Sequence, residues 1–301
     1  MRKFARTHWK ILIAILLAIA LATLTLETDS AVRASGPASG PELSVRLRAH
    51  VGALASHEHD SAAPQALEQA ARHIETTLAG YGYGLHRQEY EAGGQNVRNI
   101  EVAIANTAPG ARPERIFIVG ARYDAAPGAQ VGKRSDADRG SGTAAVLELA
   151  RLLKTMRPSR GTEVRFVFFV NAAPPTPPAN ATGEQIGGMP YASTGNFIAF
   201  AGTLESSARV RQALAAFQAR PDFPTEGLAA PAHAMGVTWS DHASYKRHGY
   251  PALMITDTAF LRYPYYHTLD DTAQLRDYAG MARVLEGLAR TIDALAGAAR
   301  T

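Results

Sequence analysis

Apolar residues recur along this chain with two different periods. Over 44–56 and 64–80 they fall every three to four positions. In the second stretch Ala66, Leu67, Ala70, Ile74 and Leu78 gather near one face, which predicts an amphipathic helix that Gly80, Gly82 and Gly84 bring to an end. The same spacing predicts helices over 142–156, with Ala145, Leu149, Leu152 and Leu153 inward, and over 206–219 and 278–299. Between them lie shorter runs. His86–Tyr90 and Val97–Ala105 are strand-like, and IFIVG (116–120) and VRFVFFV (164–170) are the continuous apolar runs of strands buried on both faces. Ile198–Ala201 and Ala252–Ile255 predict two more strands. Strands alternating with helices imply an α/β fold of three layers, a mostly parallel mixed sheet flanked by helices.

The N-terminus follows neither period. Arg2, Lys3, Arg6 and Lys10 precede an unbroken apolar run from Ile11 to Leu26, the charged and apolar regions of an export signal. Two fates stay open: cleavage after Ala34, or retention as a signal-anchor with residues 11–26 in the membrane. Residues 1–34 are therefore set apart, 35–44 read as a small-residue linker (SGPASGPELS), and 45–301 as one α/β domain. Export places that domain in the periplasm or another extracytoplasmic space.

Charge and composition narrow the chemistry. The formal net charge is +4, but setting the four N-terminal cations aside leaves 27 basic residues against 27 acidic ones. The excess belongs to the signal, and nucleic acid is not an expected partner. There is no cysteine, which excludes disulfides, thiolate catalysis and cysteine zinc ligands.

One stretch interrupts the alternation. Residues 171–191 (NAAPPTPPANATGEQIGGMPY) are too rich in proline and glycine for helix or strand. They follow directly on a central strand, at the sheet edge where α/β proteins place ligands.

Four segments in order carry a family resemblance: IFIVGARYDAAPG (116–128), SDADRGSGTAAVLELARLL (135–153), VRFVFFVNAA (164–173), and SDHASYKRHGYPALMITD (240–257) with YHTLDDT (266–272). From about 45 to 299 the chain resembles the co-catalytic zinc aminopeptidases, a family that includes secreted leucyl-type aminopeptidases, glutaminyl cyclases and transferrin-receptor-like ectodomains. The resemblance implies a zinc-exopeptidase-like architecture of the phosphorylase/hydrolase type. It also implies two zinc ions held by a His, a bridging Asp, a Glu, a second Asp and a C-terminal His, with an adjacent Glu as general base.

Position by position, that site is depleted. The first ligand His is replaced by Arg122, while its supporting Asp124 remains. The bridging position is Asp138 and the last ligand is His267, both kept. The Glu–Glu pair falls on Ala172, the general-base position, and Ala173, a metal position; the second Asp falls on Ala199, expected near a strand end. A guanidinium has no free lone pair for zinc, and Asp138 with His267 alone makes no three-ligand site. Residual metal at Asp138 and His267 is expected at low occupancy, so no cofactor is expected, with zinc the alternative.

Two functional expectations follow. One is a non-catalytic domain, a pseudoenzyme that binds a peptide or an envelope protein through the old cleft. In it an Arg122–Asp138 ion pair replaces one zinc and Asp124 steadies the guanidinium. The other is an active metallo-exopeptidase with an atypical zinc site built from Asp138, His267 and the 174–190 loop. Glu184 is then the first rescuing residue, with His233 and His242 as further candidates. Ser240-Asp241-His242 reads as a helix start with Ser240 or Asp241 as N-cap rather than as a nucleophile triad. Tyr263, Tyr265 and Tyr266 either line a pocket or pack a loop.

Overall fold

The computed structural model describes residues 40–55, 64–92, 94–124, 137–170, 196–220, 222–234, 236–259, 263 and 272–297, with side chains from 140 onward in the helix that opens at 137. The chain divides at Ala34/Ser35, and all the described residues lie in the second unit, Ser35–Thr301. The apolar N-terminal run, Ala172, Ala173, Glu184 and His267 lie outside the described residues, as does the side chain of Asp138. No described helix is long and apolar enough to cross a membrane.

Two helices open the domain, α1 (Pro41–Ala55) and α2 (Pro64–Gly80). The hairpin β1 (His86–Ala92) and β2 (Gln95–Asn106) follows, turning in two residues between Ala92 and Gln95, with Gly94 at φ +77°. Then come β3 (Arg115–Arg122), α3 (Ala137–Leu152) and β4 (Thr162–Phe169). The second half holds β5 (Ile198–Thr203), α4 (Ser207–Gln218), β6 (Thr225–Ala230), the short α5 (His242–Arg247), β7 (Met254–Thr256) and the closing α6 (Tyr278–Ala296).

The α/β class holds, with helices flanking mixed sheets. The described strands form two sheets, ordered β1-β2-β4-β3 and β6-β5-β7. Where a mostly parallel sheet was expected, only β3–β4 and β5–β6 are parallel, and β1–β2, β2–β4 and β5–β7 are antiparallel. The tight hairpin forces the first of these. Because β4 returns beside β2 after β3 and α3, it inherits the second.

The strand register defines two faces of the first sheet. Phe117, Val119 and Ala121 lie beside Val164, Phe166 and Phe168, which lie beside Ile104, Val102 and Ile100. This face meets the helices: Phe166 and Phe168 are fully buried in one core with Leu47, Ile74, Leu147 and Leu285. The opposite face carries Ile116, Ile118, Gly120 and Arg122 beside Glu163, Arg165, Val167 and Phe169. Helix α3 begins five residues before its expected start, running through both glycines of D-R-G-S-G. A Cβ at Gly140 would sit 3.4 Å from Leu54 Cβ, and one at Gly142 would sit 3.6 Å from Ala121 Cβ. The small residues let α3 press against α1 and β3 at once.

Candidate functional site

Arg122 and Phe169 end β3 and β4 as register partners on the sheet's second face. Gly120 makes room for the Phe169 ring, which a Cβ at that position would strike. The ring meets Tyr245 of α5 edge-on, 6.2 Å between centroids. This contact sets α5 over the strand ends and brings Asp241, one turn before Tyr245, toward Arg122.

The strand ends are held firmly. Thr143 of α3 donates to Arg122 O at 2.7 Å, and Tyr123 N donates to Phe169 O at 3.0 Å. Tyr123 OH donates to Arg98 O at 2.6 Å. Beyond β4, Val170 N donates to Asn99 Oδ1 at 3.0 Å, and Tyr90 OH donates to Val170 O at 2.5 Å. These two bonds fix the chain where it leaves toward Ala172 and Ala173.

Within this frame Arg122 reaches Asp124 through two parallel bonds, Nε to Oδ1 at 3.1 Å and Nη2 to Oδ2 at 3.2 Å. The side chains are only 11% and 8% exposed. The geometry is the fork-to-fork pairing that suits guanidinium and carboxylate. The expectation made Asp124 a rear support and Asp138 the partner. Asp124 is the direct partner, and Asp138 lies in the first turn of α3 with its side chain outside the described residues.

Asp241 is the residue whose role the sequence reading missed. It occupies the N-cap position of α5, but its backbone is helical (φ −58°, ψ −24°) and its side chain caps nothing, contrary to the capping expectation. Burial pushes its carboxyl up to about 6; Arg122 pulls it down and Asp124 pushes it up. The signal for this lay in Ser240-Asp241-His242, but a helix-start motif does not reveal that the side chain turns inward. Tyr90 titrates higher than usual, chiefly through burial and then through Asp124 and Asp241.

The other expected residues fall apart from this cluster. Ala199, nearly fully buried, is the second residue of β5 and pairs with Thr256, so it sits near the start of the strand rather than its end. His233 is exposed. His242 donates Nε2–H to Val237 O at 2.6 Å, and burial lowers its proton affinity. Tyr263 lies under the Arg276 guanidinium, 5.1 Å from ring centroid to Cζ, whereas Tyr265 and Tyr266 are outside the described residues.

The described part of the site does not suit a co-catalytic zinc pair. The guanidinium offers no lone pair, and both Asp124 oxygens already accept from it. Among the described residues no three His, Asp or Glu side chains are grouped to hold a metal ion. What the cluster can do is present a fixed Arg–Asp pair and a second carboxylate, which burial makes easier to protonate, to a polar ligand.

Mixed sheets flanked by helices in this arrangement define a zinc-exopeptidase-like α/β domain. The chain belongs to peptidase family M28, whose sequence profile matches residues 102–171. It is 30% identical over 267 residues to the uncharacterised protein YfbL of Escherichia coli K12, covering 74% of this chain and 78% of that protein. Among solved structures, the glutaminyl cyclase of Fimbriiglobus ruber superposes with a TM-score of 0.62 at 20% identity, covering 84% of this chain and 95% of the cyclase. The LapA aminopeptidase of Legionella pneumophila gives 0.60 at 17% identity, covering 86% and 74%. At these identities the structural likeness speaks for the fold.

Proposed function

We propose that this protein is a non-hydrolytic M28-family domain working outside the cytoplasm, which binds a peptide or an envelope protein at the ends of β3 and β4. The observation that carries the reading is the Arg122–Asp124 pair. A permanent cation stands at the position the resemblance gives to a zinc-ligating histidine, and it is neutralised by the neighbouring carboxylate. Alanine at 172 and 173, where the resemblance puts the general base and a ligand, supports the same reading. Asp241, left ionised at neutral pH beside an already neutralised arginine, gives the cluster a net negative charge. That charge suits a ligand amine, such as a peptide N-terminus. Residues 11–26 would deliver the domain to the envelope, cleaved or as an anchor.

The test is hydrolysis of aminoacyl p-nitroanilides and short peptides by the purified chain, with and without added Zn2+. No zinc-dependent release is expected. Release that disappears in Asp138→Ala would contradict the proposal and establish a metallo-exopeptidase with an atypical site.

A further inference from the structure

Away from the strand ends, a buried polar cluster joins α1, α2 and α3. At its centre is Glu148 of α3, fully buried. Arg46 Nε lies 3.1 Å from each of its oxygens, Tyr81 OH donates at 2.8 Å, and Arg151 Nε donates at 2.7 Å. His50 Nε2 of α1 lies 3.1 Å from Glu148 Oε1. Glu148 thus faces donors from Arg46, Arg151 and Tyr81 and stands among them as a carboxylate acceptor. An ionised carboxylate only accepts, so the His50 proton sits on Nε2. The tautomer is thereby fixed, and Nδ1 presents a lone pair.

His73 of α2 faces that lone pair. Its Nε2 is 3.1 Å from His50 Nδ1, with ring centroids 5.3 Å apart and planes at 69°. Two imidazole nitrogens this close need an electrophile between them, either one proton or a metal ion.

We propose that His50 Nδ1 and His73 Nε2 form a binding site for a borderline divalent transition ion such as Zn2+ or Cu2+, with water completing the coordination. An ion about 2.0–2.1 Å from each nitrogen, at the observed separation of 3.1 Å, subtends an angle of roughly 100°, which tetrahedral and tetragonal ions both accept. Glu148 behind His50 supplies the carboxylate–histidine support that orients metal-ligating imidazoles. His73 is only half-buried and gives the ion a way in. The site shares no residue with the strand-end cluster and is independent of the proposed function. Binding displaces the shared proton, so affinity falls as pH drops.

The test titrates the untagged full chain carrying Asp138→Ala, which silences the bridging position of the family site, with Zn2+ by calorimetry. One equivalent per chain is expected at micromolar affinity, weakened at least about tenfold by adding His73→Gln. Glutamine can still donate to His50 Nδ1, which preserves the contact between the helices. Should His73→Gln fail to fold, electron paramagnetic resonance of Cu2+ on the Asp138→Ala chain decides, with coupling to two imidazole nitrogens expected. Undiminished zinc binding in a folded His73→Gln variant, or a copper spectrum without imidazole nitrogen, overturns the proposal.

Discussion

Arg122 and Asp124 form a buried pair whose members have unequal alternatives. Deleting one partner strands a charge, whereas replacing both removes the charges together. Arg122→Leu is therefore expected to destabilise the domain by about 3 kcal/mol or more, and the double Leu variant by less than either single one. Urea denaturation of the three variants measures this. Asp241 behaves in the opposite way. Its folded carboxyl titrates at about 6 against an ordinary 3.8, so the folded state holds the proton more tightly and pays for the ionised form above that range. Asp241→Asn should stabilise the protein at pH 7.5 by up to about 3 kcal/mol, with more than half of the gain gone at pH 4.5. Thermal unfolding at the two pH values checks the sign. The sequence motifs single out Arg122 and Asp124, and the structure places both at the end of β3 as an ion pair. What stayed hidden was direction. Sequence spacing cannot say that Arg122 turns to Asp124, two residues on along its own chain, or that Asp241 points away from the helix it begins.

Among the elements, α3 ties the two clusters together. Its first turn carries Asp138, Thr143 holds the end of β3, and Glu148 clamps α1 and the end of α2. The Glu148 carboxyl is depressed in the folded state, so its contribution is complete above the usual carboxylate range and is lost as pH falls below it. Glu148→Gln should cost about 3 kcal/mol at pH 7, with the gap between variant and parent closing in acid. Chemical denaturation across that range tests the trend. The strongly periodic elements were readable, and α2 has the bounds its apolar spacing predicts. The start of α3 was not. Glycine usually weakens a helix, but here Gly140 and Gly142 are kept within one because α1 and β3 lie so close. Strand β6 (TEGLAA) also escaped prediction. It has no alternation and little bulk, and pairing with β5 rather than local preference makes it a strand.

For the whole molecule, order and spacing of motifs predicted the family, and the fold agrees. Pairing direction was less accessible, because apolar runs alone do not distinguish a parallel neighbour from an antiparallel one. The function proposed for this M28-family chain rests on ion pairing in place of metal ligation at the ends of β3 and β4. Calorimetric Zn2+ titration of the parent chain beside its Asp138→Ala variant decides between the two readings. Affinity and stoichiometry are expected to be the same in both, because no zinc ligand then comes from Asp138. Nanomolar binding in the parent chain that Asp138→Ala abolishes would establish metal ligation at the strand ends instead.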